Sequence, residues 1–262
     1  MLFHKIPRRL AFELNKLSEW MEFRSCDPSI FRYRDCFETI RVLTKMYQTK
    51  RLCDIGANKG HWTSVLRHMN PGLRHVVLFE PQKKLAQELQ QLTLPNVEKV
   101  VYNCGLGEKA ERVVIKGGTA SASVLQPSAD QVYYFPGSVR DEEEQISIEV
   151  LDHIYARDNL PFPDLIKLDV QGYELNVLKG AVKVLAEARY LVIELSFREF
   201  YEGQPPLWEV LKFLEENGFA MIARGYEWRS PKNSSELLQM DGIFVNTRLA
   251  AAEDRSHSGS LS

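Results

Sequence analysis

The chain has 262 residues, 44% hydrophobic and 26% charged, which fits one large α/β domain or two small ones in a water-facing globular protein. A formal net charge of −2 gives no global attraction to nucleic acid or to an anionic membrane. No apolar run reaches the roughly 18 residues of a membrane span, and the first residues lack the apolar core of a signal peptide. The four cysteines, Cys26, Cys36, Cys53 and Cys104, stand far apart without metal-ligand spacing, so reduced thiols and a cytoplasmic location are expected.

Leu10, Leu14, Leu17 and Met21 recur at helical spacing and predict a helix over about 8–24. Asp27-Pro28 breaks it, and a second helix follows at about 35–48 with Phe37, Ile40, Leu43 and Tyr47 on one side. These two helices, residues 1–48, are expected to cap the domain that follows at 49–248. Residues 51–55 read as a short buried strand. A turn with Gly56, Asn58 and Gly60 comes next, then a helix with Trp62, Val65, Leu66 and Met69 on one face. Strand, glycine turn and helix in that order form a ligand site at the strand's C-terminal edge, with glycine expected to let the ligand approach the backbone.

A dinucleotide fingerprint would need glycines where this chain has Asn58 and His61, and a carboxylate, Asp54, ends the strand instead. A pyrophosphate is disfavoured there, and a ligand carrying an amine suits the site. The second strand, 75–80, ends in Glu80, and Pro81 opens a helix with Leu85, Leu89 and Leu92 inward. An acid at that place accepts hydrogen bonds from ribose hydroxyls in nucleotide-binding α/β units.

The third strand runs from Val97 to Tyr102 and leads into Asn103 and Cys104. Two β segments, at about 111–116 and 145–151, flank an insertion at about 117–144 that lacks regular periodicity and carries Tyr133, Tyr134 and Phe135. Such a stretch reads as a binding loop or lid. Its acidic run, 141–144, reads as a solvated face. A strand over 164–168 delivers Asp169. A helix with Leu175, Leu178, Val182 and Leu185 inward follows, then a fifth strand at about 190–195. A helix at about 206–217 and two strands at about 219–224 and 240–246 complete the fold, the last two expected antiparallel. The tail, 249–262, lacks apolar material and is expected to be disordered. The alternation of strands and helices predicts a doubly wound α/β fold with a mostly parallel, Rossmann-like sheet.

The motifs Asp54-Ile-Gly-Ala-Asn-Lys-Gly60, Phe79-Glu-Pro81, Val150-Leu-Asp152 and Ile166-Lys-Leu-Asp-Val-Gln-Gly-Tyr-Glu174, with Ile193-Glu194, resemble the FkbM-type branch of class I S-adenosylmethionine (SAM) methyltransferases. The resemblance covers about residues 35–246. It implies a seven-stranded sheet, SAM as methyl donor and O-methylation of a sugar or secondary-metabolite hydroxyl. Many relatives carry Glu where this chain has Gln171, which puts any ionic role at that position in doubt.

On this reading Gly56, Ala57, Asn58 and Gly60 border the methionine end of the cofactor, with Asp54 near it through backbone or water. Glu80 holds the ribose, and Asn103 and Cys104 border the adenine. Asp169 faces the sulfonium and is the expected base, with Gln171 beside it. Asp169 and Glu194 are a possible Mg²⁺ pair, though no metal is expected from two carboxylates alone. His61 and His153 read as helix-end or loop histidines before they read as bases. The expected acceptor is a small molecule or glycan, with no nucleic acid or membrane partner. The alternatives are an NAD-dependent oxidoreductase or epimerase, for which the Tyr-x-x-x-Lys pair is missing, and a SAM-binding scaffold without turnover.

Overall fold

The computed structural model describes residues 34–118, 121–138 and 142–250. The helix expected over 8–24 and the tail from residue 251 lie outside the described residues. Strands are β1 Arg51–Ile55, β2 His75–Phe79, β3 Glu98–Tyr102, β4 Gly105–Leu106, β5 Glu111–Lys116, β6 Glu143–Glu149, β7 Leu165–Leu168, β8 Tyr190–Ser196, β9 Phe219–Arg229 and β10 Leu237–Asn246. Helices are α1 Arg34–Met46, α2 His61–Met69, α3 Lys83–Gln91, α4 Ala129–Tyr134, α5 Leu151–Arg157, α6 Glu174–Lys179, α7 Val182–Glu187 and α8 Leu207–Glu216.

Seven strands form one sheet in the order β3-β2-β1-β7-β8-β10-β9. The first five are parallel, and β10 runs antiparallel between β8 and β9. Strand alternation sends neighbouring side chains to opposite faces. Cys53, Ile55, Ile166, Leu168, Leu191 and Ile193 therefore meet the apolar sides of α5 to α8 on one face. Leu52, Val76, Leu78, Leu165 and Val192 meet α1, α2 and α3 on the other. The result is the expected doubly wound sheet, with α1 packed against α2 and β9. No helix among the described residues is long and apolar enough to cross a membrane.

The insertion departs from the expected loop. Ser128 caps α4 by accepting from the N–H groups of Asp130 and Gln131, so the segment is partly helical. The acidic run does not stay in a loop either. β6 starts at Glu143, pairs antiparallel with β5 and parallel with β4, and forms a second, three-stranded sheet. Tyr134 and Phe135 pack against buried Phe200, and Lys232 sits over the Tyr133 ring, so these aromatics brace the fold instead of lining a cavity. The β segment expected to reach 151 stops at Glu149 and gives way to α5.

Pro81 precedes α3 without opening it, since Gln82 holds the N-cap. The single helix expected after Asp169 is two short helices, broken at Gly180 and Ala181, and the break turns Val182 out to solvent (44% exposed). Asp152 holds the second piece: its carboxylate accepts from the N–H groups of Lys183 (2.9 Å) and Val184 (3.0 Å) at the start of α7. Charged acceptors at a helix N-terminus satisfy donors that the helix itself cannot. Asp152→Ala is therefore expected to lower the unfolding free energy by about 1.5–3 kcal/mol in urea titrations while leaving the distant cavity intact. A loss under about 0.5 kcal/mol would show that water replaces the cap.

Candidate active site

The turn after β1 is shaped by β2 and β7. Gly56 and Ala57 both donate to the Phe79 carbonyl (3.1 and 3.0 Å), and the Asn58 N–H donates to Glu80 Oε2 (2.8 Å). Gly56 has φ +78°, and a Cβ there would lie 1.8 Å from the Asp169 carbonyl oxygen. The neighbouring strand end and the positive φ thus demand glycine here. At Gly60, φ +73° disfavours a side chain, and a Cβ would also press on the Leu92 and Leu89 methyls at 2.6 and 2.8 Å.

Asp54 lies under this turn, fully buried, and accepts from the Thr63 hydroxyl (2.6 Å). Its other oxygen sits 3.6 Å from the Lys167 ammonium, an ion pair longer than a hydrogen bond. Lys167, also buried, donates to the Gly56 carbonyl (3.0 Å) and stands 3.4 Å from Asp169 Oδ2. Burial raises the Asp54 carboxyl above the usual carboxylate range, against the pull of Lys167 and Thr63. Burial also opposes charge on Lys167, but Asp169 and Asp54 outweigh it and hold the ammonium above its ordinary value. One cation therefore ties β1, the glycine turn and the end of β7 together. The sequence carried a signal for it: Lys167 is the lone charge within an otherwise apolar buried strand, level with Asp54 on β1.

Past Asp169 the chain turns sharply, with Gln171 at φ +56°. Glu174 closes the turn by accepting from the N–H groups of Val170 and Gly172 (both 3.1 Å), and burial pushes its carboxyl up to about 7. The Gln171 amide is held from both sides. Its Nε2 donates to Asp169 Oδ1 (2.8 Å), and its Oε1 accepts from the Tyr201 hydroxyl (2.8 Å). Burial keeps that hydroxyl protonated, well above its ordinary range. Glu194, which accepts from Gln239 (2.8 Å), lies 3.4 Å from the same Gln171 nitrogen. Burial, with Asp169 and Glu174 close by, holds the Glu194 carboxyl well above the carboxylate range. The Gln171 amide thus spans the two carboxylates that a Mg²⁺ would have to share.

A cavity of about 230 Å³ opens across these strand ends. One end is apolar, walled by Phe79, Cys104 and Leu106 and roofed by Ile115, Ile146 and Ile148 of the three-stranded sheet, with Glu80 at its lip. The other end is polar and includes Lys167, Asp169, Gln171, Asp241, Cys36 and Trp228. Gly56, Ala57, Asn58 and His61 border the space between.

Three expected site residues are not on its wall. Asp54 lies beneath the floor, and Gly60 packs on α3. Asn103 is exposed and spends its amide on the Glu80 and Pro81 carbonyls (3.0 and 2.8 Å). His153 points to solvent from α5, and Glu194 stands behind Gln171. Cys36, Trp228, Asp241 and the three-stranded roof were not anticipated from sequence. Their elements come together only through the order of the sheet.

Five parallel strands, an antiparallel β10 inserted before the edge, and a cleft over the ends of β1 and β7 define a class I methyltransferase. Residues 54–221 match the family model described as the methyltransferase FkbM domain, and the chain belongs to that family. The 2-O-methyltransferase NoeI of Sinorhizobium fredii is 27% identical over 186 residues, covering 66% of this chain and 73% of that protein. Methyltransferase 1 of Beauveria bassiana is 25% identical over 194 residues, covering 69% and 76%. The crystal structure of methyltransferase FkbM from Methylobacillus flagellatus KT shares the fold, with a TM-score of 0.51 at 20% identity. The match covers 79% of this chain, which spans 47% of that one. Family membership makes the protein a methyltransferase and sets aside the oxidoreductase alternative.

Glu80 yields a pH prediction. Burial pushes its carboxyl from 4.5 up to about 7, against the two N–H donors of Gln82 and Asn58. Between those values the folded protein holds a proton that the unfolded chain has released, so stability falls as pH rises through that window. One proton corresponds to a slope of up to about 1.4 kcal/mol per pH unit. Urea unfolding between about pH 5 and 7 should show this decline, and Glu80→Gln should make it shallower; superimposable curves would contradict the assignment.

Proposed function

We propose that this methyltransferase takes SAM as methyl donor and transfers the methyl group to a hydroxyl oxygen of a saccharide or small secondary metabolite. The observation that carries the reading is the two-ended cavity, with Glu80 at the lip of its apolar end and Asp169 at its polar end. The residues fit the donor. Phe79, Cys104, Leu106 and the isoleucine roof form a flat apolar slot for an adenine. The Glu80 carboxylate at the lip keeps lone pairs for the ribose hydroxyls beyond the two N–H groups it already accepts from. A pyrophosphate fits poorly, because the N–H groups of Gly56 and Ala57 are spent on the Phe79 carbonyl and that of Asn58 on the Glu80 carboxylate.

When bound, SAM supplies a methyl group activated by its sulfonium. The chain's own work is then to position the acceptor and remove its proton. Asp169 is the base on this reading, held by Lys167 and the Gln171 amide so that its carboxylate stays aimed into the cavity. Gln171 acts by orientation; the amide reaches Asp169 as a donor, which a carboxylate at that position would not do. The 2-O-methyltransferase activity in the printed name of the Sinorhizobium relative supports oxygen as the acceptor atom. The formal charge of −2 supports a small-molecule or glycan acceptor over nucleic acid. The wide spacing of the four cysteines, without a C-x-x-C pair, supports a reducing, cytoplasmic setting.

Calorimetry should show binding of SAM and of S-adenosylhomocysteine, and none of NAD or NADP; the reverse preference would overturn the donor assignment. Asp169→Asn should keep S-adenosylhomocysteine affinity within a few-fold and lower kcat by roughly 10²–10⁴-fold, the range of a lost general base. A kcat within a few-fold of wild type would leave Asp169 as a structural cap alone.

A further inference from the structure

Tyr201 stands behind the turn that follows β7 and does not border the cavity. It is buried, at 2% exposure, in the segment after β8, and that segment lies along the insertion. Tyr201 pairs with Pro127 in an antiparallel bridge. Beside it the Ser128 N–H donates to the Phe200 carbonyl and the Glu202 N–H to the Gln126 carbonyl, both at 2.8 Å. Gln204 Oε1 accepts from the N–H groups of Phe200 and Tyr201 (3.1 and 3.3 Å), so the backbone around the tyrosine is fixed. Its ring lies on Gly172, where a Cβ would come within 2.9 Å of the ring's Cδ2.

A phenylalanine would supply all of that packing, and what the hydroxyl adds is direction. It donates to Gln171 Oε1 (2.8 Å), with the Ser121 carbonyl as a second acceptor at 3.2 Å. Burial, and then the nearby Glu194, Asp169 and Glu174, keep the proton on the hydroxyl. On the other side of the same amide, Nε2 donates to Asp169 Oδ1 (2.8 Å) and stands 3.4 Å from Glu194 Oε2. Glu194 is held in turn by Gln239 Nε2 (2.8 Å).

An amide has one donor end and one acceptor end, so its neighbours decide which way it faces. Reversed, the Gln171 amide would set its oxygen against Asp169 Oδ1. A hydroxyl donor on one side and a carboxylate on the other therefore select the same orientation. The main chain is held as well: Gln171 sits at φ +56°, and its carbonyl accepts from Ser123 Oγ (2.7 Å). Without the hydroxyl, Oε1 loses its donor, and the amide is released to turn toward other partners and away from Asp169.

Resting on the reading of Asp169 as the base, we propose that Tyr201 is a positioning residue for methyl transfer: its hydroxyl fixes the Gln171 amide, and the amide holds the Asp169 carboxylate toward the acceptor hydroxyl. Tyr201 acts wholly through Gln171 and touches neither substrate.

Tyr201→Phe removes one oxygen and keeps the ring on Gly172, and two measurements on the full chain read the result. The first needs no acceptor. Nitrogen-15 NMR of the glutamine side-chain amides identifies the Gln171 pair as the one missing from Gln171→Met. Its protons should exchange with water roughly three- to tenfold faster in Tyr201→Phe, the equivalent of one net hydrogen bond. Unchanged exchange would overturn the proposal. The second is transfer from methyl-labelled SAM to methyl glycosides of hexoses. Tyr201→Phe should lower kcat roughly tenfold, with the glycoside KM and the affinity for S-adenosylhomocysteine within about threefold of wild type. Gln171→Met should lose at least as much, and adding Tyr201→Phe to it should cost less than about twofold more, because the hydroxyl then has no amide to direct. Losses that multiply in the double variant would show Tyr201 acting apart from Gln171 and would overturn the proposal, as would an unchanged kcat in Tyr201→Phe alone. A wild type that labels no glycoside counts against the saccharide acceptor, and the amide exchange then decides for or against Tyr201.

Discussion

The buried ammonium of Lys167 is the constraint on which the site depends. It meets a carboxylate from β1, a carbonyl from the glycine turn and a carboxylate from the end of β7. Fully buried Asp54 has no water at hand and needs the cation, whereas Asp169, 35% exposed, gains a fixed position from it. An isolated charge at such depth would neutralise or unfold the region, whereas a shared one is compensated several times over. The same contacts fix the separation between the turn and Asp169. Gly56 is then obligatory, because the strand end carrying Asp169 lies against it.

A second layer of order comes from groups that never reach the cavity. Glu174 and Asp152 are acids whose acceptors are consumed by backbone N–H groups, one in the turn after β7 and one at the start of α7. Tyr201 and Ser123 grip Gln171 through its side chain and its carbonyl, joining the insertion to the turn beside Asp169. The insertion is therefore coupled to the site through hydrogen bonds, while Tyr134 and Phe135 are spent on packing against Phe200.

Much of this was legible from sequence because strands β1, β2 and β7 are short, mostly apolar runs with an acid at or just past the end, Asp54, Glu80 and Asp169. Their alternation with helices gives the parallel sheet. Periodicity failed where helices are only six residues long, as at 129–134 and 174–187, because a break of one or two residues shifts the buried face and exposes Val182. The sequence places Asp54 near the turn but does not reveal its depth. A strand-final carboxylate looks available in sequence, and only the packing of α2 and Lys167 shows it beneath the floor. Trp228 and Asp241 were invisible because they join the site through strand order, which local pattern does not encode.

The central claim is that Lys167 organises the turn and Asp169, the base proposed above, as one unit, and a double substitution tests it most directly. Lys167→Met alone strands Asp54 without its cation, which in comparable buried pairs costs about 3–5 kcal/mol. Adding Asp54→Asn removes the stranded charge, so thermal or urea unfolding should recover much of that loss. Methyl transfer from labelled SAM by the double variant is then decisive. The account predicts a stable protein whose turnover remains at least roughly tenfold below wild type, because the Gly56 carbonyl and Asp169 have lost their shared donor. A stable double variant with wild-type turnover would contradict it.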